Sequence, residues 1–208
     1  MRLLLAILLA TAAPAAKHNA VDTTKARASV LAVKDLGKGW TGQASPQSGV
    51  TFSCPGFRPS GAGVVETGAA ASPTFSYSQT GPFVLQKASV YATDGQASTY
   101  WRRAVTPKLL TCAVQTLQAV SARGVKVKIM KQTTYPLKTG ITHTLAFRVA
   151  GSLTSNGNTV TNYLDVIVLG SGRTITAITI SSFRSAPPKD FELILAHEVA
   201  QKIGAPTA

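Results

Sequence analysis

The feature that most constrains this chain is a series of strand-like segments in its second half, separated by short turns. Residues 125–129 and 143–149 alternate apolar and polar side chains, which is typical of strands with one buried face. Residues 159–169 and 173–181 are rich in β-branched side chains, and a Gly-Ser-Gly turn joins them. Because tight turns connect neighbouring strands, the pattern predicts an antiparallel meander rather than a parallel, doubly wound sheet.

Helical patterns lie before, between and after the predicted strands. A short helix is predicted from Thr23, with Thr24 as its cap. A longer helical segment over 94–122 contains Pro107, which is expected to interrupt it. A last amphipathic helix follows the Pro-Pro pair at 187–188 and carries acidic residues in its first turn, where they favour the helix dipole.

Two further strands, at 75–78 and 83–91, flank a Gly-Pro turn, whereas residues 41–74 are rich in Gly, Ser, Pro and Ala. We expect 41–74 to be an irregular loop, unusually long for a compact domain. The sequence therefore predicts an α+β fold, in which an antiparallel β-sheet of about 5–6 strands packs with N-terminal, central and C-terminal helices.

The N-terminus has the order of a secretory signal peptide: one Arg, a short apolar run and then small residues. The apolar run is shorter than the roughly 20 residues that span a bilayer. We predict a signal peptide at 1–16, a flexible N-terminus at 17–22 and a single α+β domain at 23–208. The alternative is that the apolar segment is retained as a membrane anchor. Either way, the protein is expected to be secreted or held at the cell envelope.

Export makes the two cysteines informative. Cys54 and Cys112 are the only cysteines, and an oxidising compartment favours a disulfide between them. A catalytic thiol is the alternative, although an exported free thiol is liable to oxidation. The two residues lack the close spacing of a zinc site.

The motifs of the commoner enzyme classes are incomplete in this chain. His197-Glu198 begins the zinc-protease pattern, but Gln201 occupies the position of the second His. His143 and Asp165 could form a triad with a serine, yet no Gly-x-Ser-x-Gly turn is present. The eight acidic residues are scattered, mostly near predicted helix ends. We expect no enzyme activity, no metal and no cofactor; a secreted hydrolase using His143 and Asp165 is the alternative.

A formal net charge of +13 predicts attraction to anionic surfaces and polymers. Arg102 and Arg103 lie on the predicted central helix, and Lys126 and Lys128 on the polar side of a predicted strand. Solvation and protection of an edge strand is the simpler explanation for these lysines. Nucleic acid is not expected as a partner, because aromatic residues for base stacking are not interleaved with the basic ones.

The segment Asp35-Leu36-Gly37-Lys38-Gly39-Trp40, after a short helix, resembles the opening of many secreted actinobacterial proteins. A cysteine in the first loop, another in a central helix, a strand meander and a last helix over 191–203 follow in the same order. Over residues 28–204 the chain is similar to the extracellular sensor-type domain of PknH-like mycobacterial kinases, and its ending is similar to a PsbP-like architecture. It has one cysteine pair where the kinase type has two. The resemblance implies a ligand- or envelope-binding domain without a catalytic role.

These observations favour an exported, non-enzymatic sensor or ligand-binding domain. We expect its partner to be a small amphiphile or an anionic envelope polymer or lipid, bound in a cleft between sheet and helices, with peripheral membrane contact and a monomeric chain. A structural or protein-interaction module is a further alternative. The residues expected to bind the ligand are Trp40, Tyr100, Trp101, Phe147, Arg102, Arg103, Lys126 and Lys128, with Tyr77 and Phe83 as further aromatic candidates.

Overall fold

The computed structural model describes residues 15–44, 54, 56–119, 121 and 124–204. This part of the chain forms nine strands and four helices in an α+β arrangement, which confirms the predicted class and exceeds the predicted number of strands. The strands are β1 (Ala15–Ala16), β2 (Thr41–Gln43), β3 (Val65–Ala71), β4 (Thr74–Ser76), β5 (Phe83–Tyr91), β6 (Lys126–Thr134), β7 (His143–Ser155), β8 (Asn158–Ser171) and β9 (Thr174–Phe183). The helices are α1 (Ala20–Ala28), α2 (Asp94–Ala104), α3 (Pro107–Gln118) and α4 (Lys189–Lys202), with a 3-10 helix at Val33–Leu36.

The strands join in one mixed sheet. Its order is β1-β3-β5-β9-β8-β7-β6, and β4 pairs with both β5 and β2. The long strands β6 to β9 form the predicted antiparallel meander, with a two-residue Asn-Gly turn between β7 and β8. The pairing of β1 with β3 is parallel, which differs from the all-antiparallel prediction.

The chain at 41–74, predicted as a loop, contains β2 and β3. Residues 68–71 are one glycine and three alanines, a composition that gives no strand signal. Small side chains are needed there because α1 crosses closely over β3. A Cβ added at Gly68 would lie 2.3 Å from the backbone carbonyl carbon of Asp22. Close packing of a helix, rather than strand propensity, therefore explains this part of the sequence.

The N-terminal region also differs from the prediction. Residues 1–14 of the predicted signal peptide lie outside the described residues, whereas Ala15–Ala16 pairs with β3. In the segment 17–22, predicted to be flexible, the Lys17 N–H donates to the Glu66 carbonyl at 2.8 Å. Helix α1 begins at Ala20 because the Asn19 side chain caps it, accepting from the backbone N–H three residues on at 2.9 Å.

Helices cover both faces of the sheet, and each face has its own core. Consecutive side chains of β8 alternate between the two. Ile167 and Leu169 pack with α4, on what we call the α4 face. Val166 and Val168 pack with α3, on the α3 face. Because both sides of β8 are buried, its apolar residues run almost without interruption.

Two other features connect the helices to the sheet. The chain after α1 is fixed on the α4 face by Gln86, which accepts from Leu31 N–H at 2.7 Å and donates to the Ser29 carbonyl at 2.9 Å. The predicted disulfide between Cys54 and Cys112 is present, with the two Cα atoms 5.6 Å apart, and Cys112 is fully buried in the α3-face core. No helix in the described ranges is long and apolar enough to cross a membrane.

Candidate functional site

The aromatic residues predicted to line one cleft lie in separate places. Trp40 lies on the α4 face, where its ring stacks on Phe191 with a centroid distance of 5.4 Å. Trp101 packs on the α3 face, 5.0 Å from the ring of His143. Phe147 is fully buried in the α3-face core, and Tyr100 packs against Tyr91 in a third cluster. The sheet therefore divides these residues, because alternate strand positions and helices from different segments bring them to opposite faces. Of the two further aromatic candidates, Tyr77 lies beside Trp40, and Phe83 packs against Phe183 at 6.2 Å.

The predicted basic residues are exposed but likewise divided. On α2, Arg102 donates to Thr99 at 3.2 Å, and Arg103 donates to the carbonyls of residues 60 and 62 at 3.0 and 2.7 Å. Arg103 thereby fixes the loop before β3. Lys126 and Lys128 lie on β6, a strand at the end of the sheet.

The lysines of β6 share one face of the sheet. On β7, Ser152 pairs with Lys128 and Ala150 pairs with Lys131. Arg148 lies two positions before Ala150, on the same face of β7, and its side chain reaches α4. The register therefore places the lysines of β6 on the α4 face. We call Lys126, Lys128 and Lys131 the lysine strip. The strip and Arg102-Arg103 do not form one anion site.

A buried charge cluster lies between the meander and α4, and it was not anticipated. Arg148 of β7 is directly opposite Asp165 of β8. Its Nε and Nη2 donate to the two carboxylate oxygens of Asp165 at 2.5 and 3.0 Å. Nη2 also donates to the Pro187 carbonyl at 2.9 Å and to Oε1 of Glu192. The Tyr135 hydroxyl donates to the other oxygen of Glu192, so that this carboxylate is held by Tyr135 as well as by Arg148.

Two carboxylates share a single guanidinium in this cluster. Asp165 and Glu192 are both fully buried. Burial, the largest cause, and the neighbouring charge of Asp165 raise the pKa of Glu192 to about 7, against the opposing effects of the Tyr135 hydroxyl and Arg148. Burial also raises the pKa of Asp165, against the opposing effect of Arg148. Burial and the hydrogen bond to Glu192 raise the pKa of Tyr135. The cluster therefore retains a proton at a pH where exposed carboxyls have lost theirs.

The sequence contained a signal for half of this cluster. Arg148 and Asp165 are the only Lys, Arg, Asp or Glu residues in β7 and β8. They are equally distant from the turn at Asn156-Gly157, and a two-residue hairpin turn fixes the register of the strands beside it. Glu192 carries no comparable signal, because an acid in the first turn of a helix already has an explanation in the helix dipole.

The residues of the alternative hydrolase triad are not brought together. His143 is on the α3 face against Trp101, while Asp165 faces α4 and is bound by Arg148. Within the described ranges, no group of three or more His, Cys, Asp or Glu is placed to hold a metal ion. A depression of about 370 Å³ lies beside residues 134–137, 141–142 and 144–146, and Tyr135 forms part of its wall.

Apolar side chains are exposed around Trp40. Tyr77 lies 5.6 Å from the Trp40 ring and is 57% exposed. Ile194, one helical turn after Phe191 on α4, is 62% exposed. Val33 is 40% exposed and packs against β2, since a Cβ at position 42 would lie 2.9 Å from its Cγ2. We call these five residues, Val33, Trp40, Tyr77, Phe191 and Ile194, the aromatic surface.

The acidic residues are mostly neutralised within the fold. Asp22 pairs with Arg173, and Asp35 with Lys202 at 3.1 Å. Glu198 pairs with Lys202, Asp165 and Glu192 pair with Arg148, and Glu66 lies 2.9 Å from the His18 imidazole, a contact that is an ion pair only when the imidazole is protonated. Among the described residues only Asp94 and Asp190 are acids without such a pair, and both are exposed. The outward charge of the protein is therefore strongly positive.

Comparison with protein-family models matches none of them to this chain. Comparison with curated proteins gives no match.

Proposed function

We propose that this protein is an exported, non-enzymatic domain that binds an anionic component of the cell envelope, a lipid or a polymer, through its basic surface. The main support for the proposal is the distribution of charge. Most carboxylates form ion pairs, and several of these carboxylates are buried, whereas most lysines and arginines are exposed. A surface with few acids attracts polyanions without repelling part of them. The disulfide is consistent with an oxidising compartment.

The lysine strip is the best-defined contact for such a ligand. Its members are exposed on one strand and one face, and none of them forms an ion pair with a described residue. Lysines two apart on a strand are about 7 Å from each other, so that neighbouring members of the strip can contact one polyanion together. Neighbouring Ser152 and Thr154 on β7 add hydroxyl groups to the same face. The strip therefore supports anion binding without a deep cleft.

The test is binding to two anionic probes, vesicles of phosphatidylglycerol mixed with phosphatidylcholine and soluble polyphosphate. A variant in which Lys126, Lys128 and Lys131 are all changed to Gln should bind at least one of them more weakly. Each lysine near an anionic surface contributes about 1 kcal/mol, so the expected loss is roughly 100-fold at low salt. The matched control removes the same charge from exposed sites elsewhere, by changing Lys25, Lys108 and Arg58 to Gln.

The strip variant and the control variant each lose three positive charges. The proposal requires the strip variant to lose much more affinity than the control. Equal losses would show that only net charge matters, and failure of the unmodified protein to bind either probe would refute the proposed function.

A further inference from the structure

Packing of the core does not explain why the side chains of the aromatic surface are where they are and exposed. The buried side of α4 is formed by Leu195 and Val199, while Ile194 points away from it into solvent. Tyr77 follows the last residue of β4 and covers only one side of the Trp40 ring. Of the large apolar side chains that are exposed in the described ranges, Val33, Tyr77 and Ile194 are gathered here, and only Val21 and Met130 lie elsewhere. Clustering of this kind marks a surface that contacts something apolar.

The composition of this surface fits the boundary of a lipid bilayer. Trp and Tyr combine an apolar ring with a polar group, which favours the zone between headgroups and acyl chains. An exposed Ile beside them supplies a side chain that can enter the apolar layer. The Trp40–Phe191 stack, with its rings inclined by only 10°, lies beneath these exposed side chains.

The charge around the aromatic surface is complementary to anionic headgroups. Lys34 and Lys38 lie in the same segment before β2 as Val33 and Trp40, and both are exposed; Lys189, also exposed, is two residues before Phe191 at the start of α4. Asp35 is the acidic residue of that segment. Its Oδ2 lies 3.1 Å from Lys202 Nζ and accepts a hydrogen bond from the Ala32 N–H at 2.7 Å. Two acids lie four residues from Ile194 along α4: Glu198 pairs with Lys202 at 3.6 Å, whereas Asp190 is exposed. The positive charge beside this surface therefore comes chiefly from Lys34 and Lys38.

We infer that the aromatic surface docks on an anionic lipid bilayer, with Tyr77, Ile194 and the edge of Trp40 in the headgroup region and the flanking lysines on the phosphates. This inference rests on the proposed function and narrows its ligand to lipid. Shallow insertion of a few side chains gives reversible binding that depends on both apolar area and charge. An anionic envelope polymer, by contrast, has charge but no apolar layer into which these side chains could insert.

The two tryptophans allow a direct test, because Trp101 lies on the opposite face of the sheet. In the Trp101→Phe variant, Trp40 is the only fluorophore of its kind. Phosphatidylglycerol vesicles that contain lipid brominated near the headgroup should quench its emission and shift it to the blue. In the Trp40→Phe variant, which keeps Trp101, the same vesicles should leave the emission unchanged. Quenching of Trp101 but not Trp40 would overturn the inference.

Removal of apolar side chains gives the second measurement. The double variant Tyr77→Ser, Ile194→Ser should bind phosphatidylglycerol vesicles about tenfold more weakly, and polyphosphate as well as the unmodified protein does. The control Val21→Ser, Met130→Ser removes two equally exposed apolar side chains elsewhere. If the control loses as much vesicle affinity as the test variant, the inference is wrong.

The outcomes separate the inference from the proposed function. Binding to polyphosphate and to vesicles in the absence of Trp40 quenching would retain an anion-binding function and reject lipid docking at this surface. Absence of salt-sensitive binding to both probes would reject both.

Discussion

The buried charge cluster makes a quantitative prediction about stability and pH. The Glu192 carboxyl has a pKa of about 7 in the folded protein, against an ordinary value of 4.5, chiefly because it is buried. The folded state therefore holds the proton more tightly than the unfolded state does. Stability from this group is fully present below pH 4.5 and is lost as pH rises through about 7.

The size of the effect follows from the same two values. Each pKa unit corresponds to about 1.4 kcal/mol, so ionisation of Glu192 should cost the folded state about 3 kcal/mol between pH 4 and pH 8. The raised pKa of Asp165 acts in the same direction. Asp22 and Asp35 act oppositely: a hydrogen bond with Thr67 and the contacts with Arg173 lower the pKa of Asp22, and the Ala32 N–H and Lys202 lower that of Asp35 despite its burial. Their contributions are lost only in strong acid.

The perturbation is Glu192→Gln, which keeps the shape and removes the titration. The amide can accept from Arg148 through its oxygen and donate to the Tyr135 hydroxyl through its nitrogen. Asp165 still neutralises the guanidinium. The variant should match the unmodified protein within about 1 kcal/mol at pH 5 and exceed its stability by up to about 3 kcal/mol at pH 8.

The assay is urea unfolding at several pH values between 5 and 8, with far-UV circular dichroism as the probe. Histidines and all other groups are common to both proteins, so the difference between the two free energies isolates Glu192. Parallel pH profiles for the two proteins would refute the reasoning, because they would mean that Glu192 binds its proton equally in the folded and unfolded states.

Three other predictions concern the framework. Arg148→Met should destabilise the protein by about 3–5 kcal/mol in urea unfolding at pH 7, because two buried carboxylates lose their shared cation, and a loss below about 1 kcal/mol would contradict the cluster. Changing Cys54 and Cys112 to Ser should cost about 4 kcal/mol by the same assay, and thiol labelling of the native protein should find no reactive cysteine. Gly68→Ala should cost about 1–3 kcal/mol because its Cβ meets the backbone of α1, whereas Gly95→Ala, with its nearest contact at 3.8 Å, should be neutral or stabilising; equal effects would disprove the close crossing.

The parts of the fold that sequence could predict are those in which local pattern and burial agree. The meander was predictable because alternation, β-branched runs and tight turns all favour it, and Pro107 divides the central helices as its missing N–H requires. Strand β3 was not predictable, because its glycine and alanines reflect the close packing of α1 across the strand and not strand propensity. The cap at Asn19 precedes the predicted one at Thr24, which has the same capping chemistry; only packing of α1 on β3 distinguishes them.

The candidate site was harder to predict, because it depends on contacts between distant segments. A ligand-binding wall was predicted from residue type, but Phe147 and Trp101 are on the opposite face from Trp40. Hydrophobic residues serve the core and a binding surface equally well, and composition does not distinguish the two roles. The opposition of Arg148 and Asp165, in contrast, follows from counting outward from a two-residue turn.

The central claim is that the exposed bases, freed of acids by internal ion pairing, bind an anionic envelope component. Its most direct test is co-sedimentation of the unmodified protein with phosphatidylglycerol vesicles as NaCl rises from about 0.1 M to about 1 M, which shortens the Debye length from about 10 Å to about 3 Å. We predict tight binding at low salt, progressive release at high salt, and much weaker binding to vesicles of phosphatidylcholine alone. Equal binding to charged and uncharged vesicles at every salt concentration would contradict the claim.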